Sequence, residues 1–326
     1  MSSPTPASRT SPSPSEAPTA APAAPAAPTP PPTRHGELTT RSAWWFFAAT
    51  FAVTWGLGML TMVFLDPIES LFGPMGYTNP VFVLMVYSPA FVAVSMIWRH
   101  HGARGLVAFL RRLTLWRMGF GWWALLLVGM PAVFYAGAAV NGNATDFPFD
   151  PWYGVLPAII PALFIGPIEE LGWRGVALPL LQRGFAPLWS ALIVGAVAAI
   201  WHTPAFLMSG TRQSAWSYWP FFLGVVAISV ILTAMVNVAA GSLLVAALFH
   251  AQMNGPAWPD AQPWDMLGFV VVAVAVVVVN RRGMLTRGAG ATDVLMPEKT
   301  PRDRPAPTPG ARNQRADVVD RRGVRP

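Results

Sequence analysis

Six side chains able to do acid–base or metal chemistry lie inside otherwise apolar sequence: Glu169, Glu170 and Arg174 in "GPIEELGWRGVALPLL", His202 in "IWHTP", and His250 and Asn254 in "FHAQMNGP". A carboxylate and an imidazole that share a water can take its proton, and imidazole or amide N–H groups can stabilise an oxyanion as it forms. Glu169, His202 and His250 also make a two-histidine, one-carboxylate set of the kind that holds a catalytic zinc with one position open. Two cofactor states are therefore expected, none or a divalent metal with zinc foremost, and both stay open. The His-Glu-x-x-His signature of helical zinc sites does not occur.

Spacing refines the roles. Glu170 and Arg174 are i and i+4 with the glutamate first, the favoured order for a helical ion pair. Successive helical residues point about 100° apart, so Glu169 faces elsewhere, over Trp173, and lacks an ionic partner on its own helix. The connection "RGFAP" centres on Phe185, with Glu169 16 residues before it and His202 17 after it. In an antiparallel hairpin the two reach the same depth within about one 1.5 Å step. Pro204 would loosen the helix just past the histidine. His250 and Asn254 share a face at about 12 and 18 Å along their span, against about 21 Å for His202. Taken singly, each has a structural reading, as an ion pair or as interhelical hydrogen-bond glue. Equal depth for an unpartnered glutamate and a histidine favours a site.

The elements that position these groups must cross a bilayer. The 326 residues are 53% hydrophobic and 11% charged, against roughly 25% charged in soluble domains. Apolar stretches long enough to span, about 20 residues, are predicted at 43–65, 81–98, 122–140, 155–181, 188–208 and 218–240, with shorter ones at 242–258 and 266–280. The expected fold is an all-α, polytopic transmembrane bundle of about eight spanning helices around an intramembrane polar cavity. Arg99, Arg104, Arg111, Arg112 and Arg117 crowd the 99–121 connection, and Arg281, Arg282 and Arg287 follow the last span. The connections 66–80, 141–154 and 259–265 carry no arginine or lysine. This asymmetry predicts both tails on the cytoplasmic side; the low charge content predicts an integral membrane protein, and the composition of the long Pro-rich first tail suggests a bacterial one, hence the plasma membrane. Within 99–121, Leu106, Phe109, Leu110 and Leu113 form one stripe with Arg104, Arg111 and Arg112 off it, which predicts a helix lying in the interface.

Residues 1–40 read as a disordered Pro/Ala-rich tail and 287–326 as a disordered Arg/Pro-rich tail, flanking a multi-helix domain at 41–286 whose motif core is 157–256. The first tail lacks the apolar core of a signal peptide; a segment for a proline-reading domain is its sharper reading. The net charge of +7 is assigned to orientation and lipid headgroups, so the lipid bilayer is an expected partner and nucleic acid is not. There is no cysteine, which removes thiolate metal sites and cysteine nucleophiles.

The ordered set "EELGWR", "IWH" and "HAQMN" resembles the CPBP family, the CAAX-protease and bacteriocin-processing (Abi) proteins that include the eukaryotic prenyl-protein endopeptidase. In that family a phenylalanine usually stands four residues before the histidine of the second motif; here the position is Ala198. The resemblance implies a multi-helix intramembrane protease with catalytic roles for Glu169, Glu170, Arg174, His202, His250 and Asn254. Its expected substrate is a membrane-embedded or lipidated peptide. Glu169 and His202 would activate water, and His250 and Asn254 would hold the oxyanion. A serine mechanism lacks a Gly-x-Ser-x-Gly segment near a histidine, and the aspartates fall in loops, tails or span ends. The alternatives are a transporter using the same polar cavity, and a scaffold or bacteriocin-immunity protein without proteolysis.

Overall fold

The computed structural model describes residues 37–296 apart from 77 and 210. The tails expected at 1–40 and 287–326 therefore lie outside the described residues except for 37–40 and 287–296. Inside a bilayer the backbone has no water to bond, so each crossing closes its own hydrogen bonds as a helix. Among the described residues every regular element is helical. Six helices are long and apolar enough to cross: α1 Thr40–Val63, α2 Pro80–Thr114, α3 Phe120–Asn141, α4 Trp152–Gln182, α5 Pro187–Leu207 and α6 Tyr218–Val238. Two shorter apolar helices, α7 Leu243–Met253 and α8 Trp264–Val279, occupy the places of the last two expected spans. The protein is a polytopic helical bundle.

Local sequence sets the boundaries. The Asn79 side chain accepts from the Val81 and Phe82 amides at 3.0 and 3.4 Å, with Pro80 as first residue of α2, a side-chain cap followed by a proline. Ser242 caps α7 by accepting from the Val245 amide at 3.0 Å. Within α2 the chain kinks at Gly102, where φ is +62°, a conformation open to glycine and costly for other residues. Large apolar side chains such as Trp45, Phe120, Val271 and Val279 stay exposed on the bundle surface, as lipid contact requires. The interior packs Phe46, Phe109, Trp173, Phe249 and Phe269. A Cβ at Gly195 would come within 2.8 Å of the Val226 backbone and the Ser229 side chain, so a small residue lets α5 and α6 approach closely.

The two ends of the bundle differ in what they carry. At one end Arg183 donates to the Leu38 carbonyl, and Gln182 donates to Asn237 at 3.0 Å and to the Ala291 carbonyl at 2.7 Å. Residues 38 and 291 therefore lie at the same end. At the other, Asn141 and Asn143 donate to the Gln262 and Asp260 carbonyls at 3.0 and 2.8 Å.

Two expectations are corrected here. Arg112 does not lie in the interface with Arg104 and Arg111, which are exposed; it is 2% exposed. Its guanidinium donates to the carbonyls of Gly175 (2.7 Å), Gly241 (2.8 Å), Arg174 (3.0 Å) and Val294 (3.1 Å). The polar tail expected from Arg287 is packed as far as Met296, whose amide donates to the Ala108 carbonyl at 3.2 Å, and Val294 is buried. The physical reason is shared. Buried Arg112 and Gln182 need acceptors, and the backbone of 291–294 supplies one to each.

Candidate active site

Helix α4 is interrupted at Glu169, Glu170 and Arg174, the residues singled out in its sequence. Helical turns at Val155–Phe164 end at Ile165 and Gly166, and a 3-10 turn, Pro167–Glu169, follows. A short α segment, Glu170–Gly172, then leads into a π-helical turn, Trp173–Ala177. Widened turns of this kind often mark functional sites. Gly166 has φ +96°, and a Cβ there would collide with the Asn254 amide and sit 3.0 Å from His250 Nε2. Glycine is needed at this position for both its backbone angle and the close approach of α7.

Glu169 is 4% exposed and Glu170 3%. The Trp173 indole N–H donates to Glu169 Oε2 at 3.3 Å, so the carboxylate that lacked an ionic partner in the sequence has a neutral donor one turn along. Glu170 forms the i, i+4 ion pair with Arg174 at 3.1 Å and also accepts from His250 Nδ1 at 2.7 Å. The second contact was not anticipated from the sequence. It puts one carboxylate between two basic groups and fixes the imidazole so that Nε2 faces the cavity.

His202 closes α5 and opens a short helix, Thr203–Leu207. Its Nδ1 lies 2.7 Å from the Ala198 carbonyl. A carbonyl only accepts, so Nδ1 carries the proton and Nε2 keeps its lone pair. Edge-to-face contacts with Trp201 at 4.7 Å and Phe221 at 5.2 Å hold the ring. Trp201 is in turn anchored by donating to Thr54 Oγ1 on α1 at 2.8 Å. Asn254 follows α7 and donates to the Ile165 carbonyl at 3.3 Å, satisfying backbone exposed by the break in α4.

Glu169, His202, His250 and Asn254 line one cavity of about 390 Å³. A second chamber of about 130 Å³ continues past the same four residues to Glu170, Arg174 and Ala198. All six expected residues thus border the chambers, Glu170 and Arg174 from the inner one. Arg212 and Gln213 line both chambers and were not singled out as site residues. The Thr54 anchor was also missed, although buried Thr50, Thr54 and Thr61 form a recognisable polar stripe on α1.

The metal reading can be tested against the donors. Among the described residues no three His, Cys, Asp or Glu side chains converge at ligating distance. His250 Nδ1 is engaged by Glu170 and Glu169 Oε2 by Trp173. As arranged, Glu169, His202 and His250 share a cavity without forming a ligand cage.

The fold and this site define a class: a polytopic helical membrane protein with a charged cavity between its spans. The family model described as "Type II CAAX prenyl endopeptidase Rce1-like" matches residues 151–255. The chain is also 27% identical over 139 residues to CAAX prenyl protease 2 of Methanococcus maripaludis, covering 38% of this chain and 51% of that protein. The chain thus spans about half the length of the curated relative it matches. These two matches support the CPBP/CAAX protease family, the one that the three motifs resemble.

Proposed function

We propose that this chain is an intramembrane endopeptidase that hydrolyses a peptide bond in a membrane-associated or lipid-modified peptide. The observation that carries the reading is the meeting of Glu169, His202, His250 and Asn254, from three helical segments, on one cavity. Water held between the Glu169 carboxylate and His202 Nε2 gives up its proton as its oxygen attacks the carbonyl. The oxyanion receives hydrogen bonds from the Asn254 amide and from His250 Nε2. Donation from Nε2 requires the imidazolium form, whose other N–H is the one that meets Glu170. Arg174 and Glu170 are positioning residues that orient His250. The proton taken from water passes to the leaving amine as the tetrahedral intermediate collapses.

A screen of purified protein against membrane peptides tests this. Glu169→Gln should abolish cleavage while the protein stays folded. Asn254→Ala should leave residual activity, since losing one oxyanion donor costs about 10²–10³ in kcat. Wild-type rates in Glu169→Gln would remove the assignment. Metal content and chelation are measured on the same samples. Full activity after chelation is expected, and stoichiometric zinc lost in both His202→Ala and His250→Ala would replace the metal-free mechanism.

A further inference from the structure

The cavity reaches one end of a bundle whose two ends carry opposite charge. Its outer wall comes from Gly76 and Phe82, at the connection between α1 and α2, and from Met208, Thr211, Arg212 and Gln213, in the connection between α5 and α6. Neither chamber is lined by any residue from 99–121, 183–187, 239–242 or 281–296, the segments gathered at the opposite end. Chain direction fixes this placement. Helix α2 starts at its Asn79 cap beside the cavity mouth and finishes at Arg112, which bonds Gly241 and Val294.

The arginines Arg99, Arg104, Arg111, Arg117, Arg281 and Arg282 all belong to the end away from the mouth. The mouth end carries Asp66, Glu69, Asp146, Asp150 and Asp260, and Arg212 is the single arginine or lysine in its connections. Arginine-rich short connections stay on the cytoplasmic side. We infer that the site opens to the non-cytoplasmic face. On the endopeptidase reading above, its substrate is a membrane-anchored peptide whose scissile segment lies on the outer side of the membrane, not a lipidated chain end in the cytosol.

The chain has no cysteine, so single cysteines report sidedness against a clean background. Gln213→Cys marks the mouth, Ser70→Cys the exposed outer connection beside it, and Thr286→Cys the opposite end. A membrane-impermeant maleimide is applied to intact cells and to inverted vesicles. Gln213→Cys and Ser70→Cys should label in intact cells and lose that labelling in inverted vesicles, with Thr286→Cys showing the reverse. If Gln213→Cys does not accumulate, Ser70→Cys decides alone. Labelling of the mouth-end cysteines only in inverted vesicles, or equally from both sides, overturns the inference. The readout needs no catalysis, so a reversed pattern leaves proteolysis standing, and an inactive protein leaves the sidedness result intact.

Discussion

Glu169 and Glu170 differ in surroundings because of where a helix points neighbouring side chains. Glu169 meets an indole N–H and open cavity; Glu170 meets Arg174 and His250. A buried carboxylate between two basic groups holds the imidazole in orientation, and removing either basic group leaves charge uncompensated. Arg174→Ala should therefore lower folded yield sharply, since breaking a buried pair costs about 3–5 kcal/mol. The double variant Glu170→Gln/Arg174→Met should recover much of that yield, read by size-exclusion chromatography, while remaining slow in peptide cleavage because His250 loses its orienting carboxylate. Normal yield for Arg174→Ala with cleavage abolished would instead give Arg174 a direct part in the chemistry. The i, i+4 relation of Glu170 and Arg174 was legible in the sequence because it needs only helical geometry. The His250 contact was not, because its partner is 80 positions away and depth counting gives no rotation about the helix axis.

The decisive element is the irregular middle of α4. A break at Gly166 and a π turn at Trp173–Ala177 displace carbonyls from the regular ladder, and buried polar groups without partners are costly. Arg112 answers this by donating to the Arg174 and Gly175 carbonyls. Arg112→Ala should destabilise the bundle and lower its thermal midpoint. Arg112→Lys should recover only part of the loss, because an ammonium cannot reproduce the planar fork that reaches four carbonyls. A midpoint unchanged in Arg112→Ala would show that the π turn does not depend on it. Hydropathy located α4 as an apolar span but could not show the break. Periodicity does not distinguish α from π turns over five residues, and an arginine in a basic run looks like any other.

At the scale of the whole molecule, composition and apolar length made the helical bundle legible, and six spans with two shorter helices follow the predicted order. The boundary at Arg287 was misplaced because the segment after it is polar, yet its backbone carbonyls serve the interior. A chain ending after Thr286 should lose folded yield in a detergent extract, whereas one ending after Met296 should retain it. Equal yields would show that residues 287–296 only decorate the surface. The Arg112 clamp also has a consequence for biosynthesis. Its acceptors stand 62, 129 and 182 positions further along the chain at Arg174, Gly241 and Val294. A nascent chain can insert its early spans long before the last acceptor leaves the ribosome, so the clamp is complete only once residue 294 has emerged. The π turn beside the two carboxylates is thereby fully clamped only once that segment is made, and a translation product truncated before Val294 carries all six site residues with the clamp incomplete.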